Sequence, residues 1–206
     1  MIIGLTGGIA TGKSTVAEML VKRGALLVDA DQIARDVVAP GSEVLVKIAT
    51  FFMEQYQLNV VQENGALDRK TLGELVFSNP HAKEALNSMI HPPIRKQIIE
   101  RIQTLERENP QKLIIADIPL LFESKYDYMF DEVMLVYVSR QTQLQRLMKR
   151  DGITLEQAEQ RLAAQLPIDE KRKLASVIID NSGIFADTER QIEQFWRSTG
   201  LHETNT

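Results

Sequence analysis

Gly7-Gly8-Ile9-Ala10-Thr11-Gly12-Lys13-Ser14 sets glycines at both ends of a short loop, ahead of a lysine–serine pair, in the spacing G-x-x-x-x-G-K-[ST]. The chemistry that needs this arrangement is the cradling of phosphates. Glycines let the backbone curl until successive amide N–H groups face an anion, because a Cβ would block both the φ angles and the approach. A helix opening directly after the loop adds orphan N–H donors and a partial positive charge. The reading assigns Gly8, Ile9, Ala10, Thr11, Gly12, Lys13, Ser14 and Thr15 to a nucleoside triphosphate. Lys13 reaches the β- and γ-phosphates, Ser14 ligates Mg²⁺ through its hydroxyl, and Thr15 meets the α-phosphate through its backbone amide.

Two aspartates stand at the ends of apolar runs, where a doubly wound sheet carries its ligands. Leu26-Leu27-Val28 leads into Asp29-Ala30-Asp31. Alternation along an extended segment points Asp29 and Asp31 the same way. Asp31 is the candidate to accept the proton of an attacking hydroxyl, and the competing reading makes it the N-cap of the next helix. Leu113-Ile114-Ile115-Ala116 leads into Asp117, the placement of a carboxylate that holds Mg²⁺, with a capping or turn aspartate as the alternative.

Basic residues gather at Arg140, Arg146, Lys149 and Arg150, the last three at helical spacings of three and four. Such a cluster serves either as a lid whose arginines meet a transferring phosphoryl group or as a solvated helix face. His81, His91 and His202 form no metal-ligand spacing. His91 with Arg95 could line a second-substrate pocket, or His91 could be a buried structural histidine.

Strand-length apolar runs at Ile2 to Thr6, Leu26 to Val28, Leu113 to Ala116, Val133 to Val138 and Val177 to Ile179 position these groups. They are continuous rather than alternating, as in parallel strands covered on both faces. Lys13 to Arg23 is amphipathic and stops at Gly24. The fold expected is α/β, a five-stranded parallel sheet of P-loop type flanked by helices. Between Gln32 and Gln111 the periodicity is helical throughout: Ser42 to Gln57, Asp68 to Ser78 with Asp68 as cap, and Pro80 to Glu108 with Asn79 as cap. The chain therefore divides into a core of residues 1–31, 112–139 and 174–200, a helical insertion at about 32–111 and a helical lid at about 140–173.

At 206 residues, 44% hydrophobic and 25% charged, the chain suits one compact α/β domain with elaborations. With no cysteine it can form neither disulfides nor thiolate metal sites, which fits a cytoplasmic protein. No apolar run approaches the roughly 18–20 residues of a membrane span, and no secretory signal is expected. The net charge of −4 argues against a nucleic-acid binder. A homo-oligomer is left open.

These pieces, in this order, resemble the dephospho-coenzyme A kinase family over essentially the whole chain. The matching segments are Leu5 to Thr15, Val28-Asp29-Ala30-Asp31-Gln32-Ile33-Ala34-Arg35, Ile90-His91-Pro92-Pro93-Ile94-Arg95, Pro119-Leu120-Leu121-Phe122-Glu123, Arg146 to Asp151, and Val177 to Gly183. The resemblance implies ATP-dependent phosphorylation of the ribose 3′-hydroxyl of dephospho-coenzyme A, with Mg²⁺. It implies Asp31 as acid–base residue and Lys13, Arg146 and Arg150 in catalysis. It also implies Asp31, Arg35, His91, Arg95 and Leu120 as acceptor contacts in or beside the insertion. Two departures stand out. Ala10-Thr11 replaces the usual Gly-Ser, a change expected only to stiffen the loop, and Ser176 stands where an aspartate is common. The rivals are another small-molecule kinase of the same fold and a GTPase-like switch, though the guanine-reading Asn-Lys-x-Asp is absent.

Overall fold

In a computed structural model that describes residues 1–201, the chain forms two compact units, residues 1–29 with 102–201 and residues 30–101. The first is built on five parallel strands: β1 (Ile2–Gly7), β2 (Leu26–Asp29), β3 (Ile114–Asp117), β4 (Glu132–Tyr137) and β5 (Val177–Asp180). Their order is β2-β3-β1-β4-β5. The strand carrying the glycine loop is thus central, with Leu5 in register with Asp117 on one side and Met134 on the other.

Side chains alternate across a strand, so Ile3 and Leu5 of β1 share one face with Ile115, Met134 and Val136. Helix α1 (Lys13–Lys22) and helix α9 (Phe185–Ser198) cover that face with Val16, Met19, Leu20, Ile192, Phe195 and Trp196. Gly4 faces the other way. A Cβ there would stand 2.5 Å from Leu121 and 2.7 Å from Phe130, so glycine lets those side chains pack on the sheet without shifting.

Helices α6 (Arg140–Asp151), α7 (Leu155–Ala163) and α8 (Ile168–Leu174) run between β4 and β5. Their limits are chemical. The Ser139 hydroxyl accepts from the Thr142 amide, Gly152 ends α6 at φ 64°, and Thr154 with Gln157 closes a capping box on α7. Ser176 takes both backbone groups of Val133, accepting from its amide at 2.8 Å and donating to its carbonyl at 3.2 Å. Serine can do both, which an aspartate in the ionised form cannot.

The second unit is helical: α2 (Ala30–Val37), α3 (Glu43–Tyr56), α4 (Arg69–Ser78) and most of α5 (Pro80–Glu108). Asp68 and Asn79 cap α4 and α5, as their sequence positions suggest. Phe52, Ile48, Val60, Leu72 and Ala82 form its own core. Pro92 and Pro93 lie inside α5. The His-Pro pair is therefore helical, and the prolines supply no amide for the carbonyls of Ser88 and Met89. Among the described residues no helix is long and apolar enough to cross a membrane. His202 lies outside the described residues.

Candidate active site

The loop from Gly7 to Gly12 leaves the end of β1 and turns into α1, with Gly12 at φ 86°. The side chain of Thr11 is turned inward and donates to the Gly8 carbonyl at 2.9 Å. Ala10 has φ 63°, the left-handed region that disfavours any Cβ by about 1 kcal/mol or more. The alanine substitution thus does more than stiffen the loop, since it holds a side chain where glycine is the unstrained residue. In return Ala10 and Ile9 pack against Leu144, Leu147 and Ala158, an apolar cluster of α6 and α7 that glycine could not reach.

Lys13, the first residue of α1, pairs with Asp117, the last residue of β3. Asp117 thus supplies a counter-charge to the loop lysine. Ser14 follows with its side chain exposed, and the Thr15 amide donates to the Gly12 carbonyl at 3.1 Å. The hydroxyl of Ser14 and the carboxylate of Asp117 are hard oxygen donors of the kind a divalent cation such as Mg²⁺ takes.

Of the basic cluster, Arg146 is brought to the loop. Its guanidinium donates to the Asn181 carbonyl at 2.9 Å and lies beside Gly12. Arg150 is exposed and donates twice to Asp151, at 2.7 and 3.2 Å. That guanidinium, with Arg161 nearby, holds the Asp151 carboxyl below the usual carboxylate range. Arg140 pairs with Glu159 on α7. Helical spacing groups Arg146 with Lys149 and Arg150, and of the two arginines it is Arg146 that reaches Asn181, the residue bonded to the loop.

Asp31 sits in the first turn of α2, because the helix begins at Ala30 directly after β2. The strand alternation from Asp29 therefore stops one residue short of it, and as an in-helix residue it is not the N-cap. Its carboxylate is exposed and complements the positive end of the helix dipole. Arg35 follows one turn later, donating to Gln32 at 3.5 Å. Arg95 is exposed on α5, and His91 is half-buried, its pKa lowered by that burial. A cavity of about 190 Å³ in the helical unit is lined by Ile90 and Ile94 rather than by His91 or Arg95. Leu120, on the turn after β3, is 42% exposed.

Residues given no role from the sequence gather around the loop, Asn181 among them although it stands in the family-like segment Val177 to Gly183. Gln143 donates to the Ile9 carbonyl, Asn181 to the Thr11 carbonyl and Lys171 to the Gly7 carbonyl, while Gln165 accepts from the Ile9 amide. They come from α6, from residues 165–171 and from the end of β5, so no local pattern shows that they meet.

A family profile for dephospho-CoA kinase matches residues 1–187. The chain belongs to the dephospho-CoA kinase family. A dephospho-CoA kinase of Halalkalibacterium halodurans is 46% identical over 93% of both chains. One of Shouchella clausii is 45% identical over 93% of this chain and 95% of its own. Among solved structures, dephospho-CoA kinase from Campylobacter jejuni superposes with a TM-score of 0.76 at 35% identity, covering 96% of each chain. Every dephospho-CoA kinase segment quoted from the sequence, from Leu5 to Gly183, lies within the matched span.

Proposed function

We propose that this protein transfers the γ-phosphoryl group of ATP to the ribose 3′-hydroxyl of dephospho-coenzyme A, giving coenzyme A and ADP. Family membership over residues 1–187 carries this reading, together with a loop that meets the mechanism's demand for a cage of amides ending in Lys13. In-line phosphoryl transfer has little covalent work for the protein, so positioning and charge neutralisation supply most of the rate. Lys13 and Arg146 balance charge on the transferring group, with Arg150 joining when α6 to α8 act as a lid. Asp31 orients the acceptor hydroxyl and takes up its proton. Arg35, His91, Arg95 and Leu120 contact the acceptor, which the helical residues 32–111 bind. Ser14 and Asp117 are the residues that would hold Mg²⁺, which would further neutralise the triphosphate. The absence of cysteine and of a membrane-crossing helix among the described residues supports a cytoplasmic enzyme.

The test is an acceptor panel with labelled ATP: dephospho-coenzyme A, adenosine, AMP and shikimate, each also with GTP as donor. The reading requires transfer to dephospho-coenzyme A to exceed every other acceptor. Comparable transfer to another acceptor, or strict GTP dependence, would sink it.

A further inference from the structure

The buried polar residues among the described residues are Thr6, Thr11, Gln143, Lys171 and Thr188. All five belong to one network around the phosphate loop. Burying an amide or ammonium without partners costs several kcal/mol, so such groups are retained where their bonds are made. Gln143 of α6 donates from Nε2 to the Ile9 carbonyl at 2.8 Å. Asn181, directly after β5, donates from Nδ2 to the Thr11 carbonyl at 2.7 Å, and its own Oδ1 is fixed by the Thr188 hydroxyl at 2.8 Å. Lys171 of α8 is fully buried, paired with Glu123 at 2.8 Å and donating to the carbonyls of Pro119 at 3.2 Å and Gly7 at 3.4 Å.

Every described peptide bond is trans, so a carbonyl and the N–H of the following residue point in opposite directions. Gripping the Ile9 carbonyl therefore turns the Ala10 amide hydrogen away from Gln143. Gripping the Thr11 carbonyl turns the Gly12 amide hydrogen away from Asn181. The loop's glycines fit the same contacts: a Cβ on Gly8 would collide with Nε2 of Gln143, and one on Gly12 with Nδ2 of Asn181.

We propose that Gln143 and Asn181 are positioning residues for nucleotide binding, which brace the outward carbonyls of Ile9 and Thr11 so that the amides of Ala10 and Gly12 face the triphosphate. Lys171 with Glu123 anchors the root of the same loop. The segment between β4 and β5 then supports the nucleotide site from behind as well as supplying Arg146. The proposal rests on the loop binding ATP, and the side chains it names act on affinity through the loop carbonyls they hold.

The experiment compares wild type with Gln143→Met and Asn181→Ala. Steady-state KM values are measured for ATP and for dephospho-coenzyme A, and thermal unfolding is followed with and without Mg-ATP. Asn181→Ala also leaves the buried Thr188 hydroxyl without its acceptor, so the nucleotide-free melting temperature falls whatever the role. The deciding readout is therefore the stabilisation added by ATP, which tracks affinity by linkage. Each variant is expected to raise the KM for ATP about five- to tenfold, the value of one hydrogen bond, and to shrink the ATP-induced shift. The KM for dephospho-coenzyme A should stay within about twofold, because no acceptor group is lost. A lower nucleotide-free melting temperature with wild-type KM for ATP and a wild-type ATP-induced shift would reduce both residues to packing and overturn the proposal. Should wild type itself gain no stability from Mg-ATP, the phosphate-loop reading fails first, and that result is visible before any variant is made.

Discussion

The Lys13 ammonium is paired with the Asp117 carboxylate, joining the start of α1 to the end of β3 across 104 positions of sequence, with side chains only 17% and 15% exposed. Asp117 ends β3, which lies in register beside β1, the strand that leads into the loop before Lys13. A lysine on a flexible stem held by a carboxylate at the sheet edge is already in place to exchange that partner for phosphate oxygens.

Replacing either partner separates their roles. Lys13→Ala, in a protein shown folded by circular dichroism, should lower kcat/KM by about 10²-fold or more, the scale of one preorganised charge at a transferring group. Asp117→Asn should shift the Mg²⁺ concentration for half-maximal rate upward and leave the KM for dephospho-coenzyme A alone. A titration of rate against Mg²⁺ checks this, and an unmoved midpoint would remove Asp117 from the metal site.

Asp31→Asn preserves size and keeps an acceptor at the start of α2 but cannot take up a proton. The expected result is a fall in kcat of about 10²-fold with KM for ATP unchanged, in the range of general-base catalysis. Retained turnover would leave Asp31 as a favourable charge at a helix N-terminus.

His91 gives the fold a pH dependence. Its folded pKa lies below the ordinary value of about 6.5 because burial disfavours the imidazolium. As pH falls through that value the unfolded chain binds the proton first, so stability decreases toward the folded pKa and levels off below it. Urea unfolding between pH 8 and pH 5 should show this loss in wild type and a shallower one in His91→Gln. Equal slopes would mean that His91 titrates alike in both states.

Phe52 anchors the helical unit. It is fully buried, with its ring stacked on Tyr56 at 5.6 Å and meeting Phe51 edge-on at 5.3 Å. Phe52→Ala should cost about 3–5 kcal/mol in chemical denaturation, through lost burial and the cavity left behind. A loss under about 1 kcal/mol would show that this core collapses around the gap.

The glycine loop is legible in the sequence because its chemistry is contiguous: eight consecutive residues set between an apolar run and an amphipathic helix. The strands and the caps at Asp68 and Asn79 are legible for the same reason, being local patterns. Asp31 shows the limit of such reading. Its type and place attract notice, but whether alternation reaches it depends on α2 starting at Ala30, a boundary that the run Asp29-Ala30-Asp31 does not reveal. The helix from Pro80 to Glu108 is legible through Pro92 and Pro93 because its apolar spacing continues past them, and Ile90, Ile94 and Ile98 are buried or half-buried along it. Gln143 is out of reach, since its partner lies 134 positions away and any helix surface carries glutamines, while Asn181 stands in the quoted segment Val177 to Gly183 without its partner 170 positions away being legible. Arg150, by contrast, looks equal to Arg146 by spacing, yet it is exposed and bonded to its neighbour Asp151 where Arg146 is bonded to Asn181.

The most direct measurement is mass spectrometry of dephospho-coenzyme A after incubation with the enzyme, ATP and Mg²⁺. The expected product carries one added phosphate on the ribose 3′-oxygen, appears in step with ADP, and is lost with Lys13→Ala. An acceptor of unchanged mass, in the presence of folded protein that binds Mg-ATP, would contradict the assigned reaction.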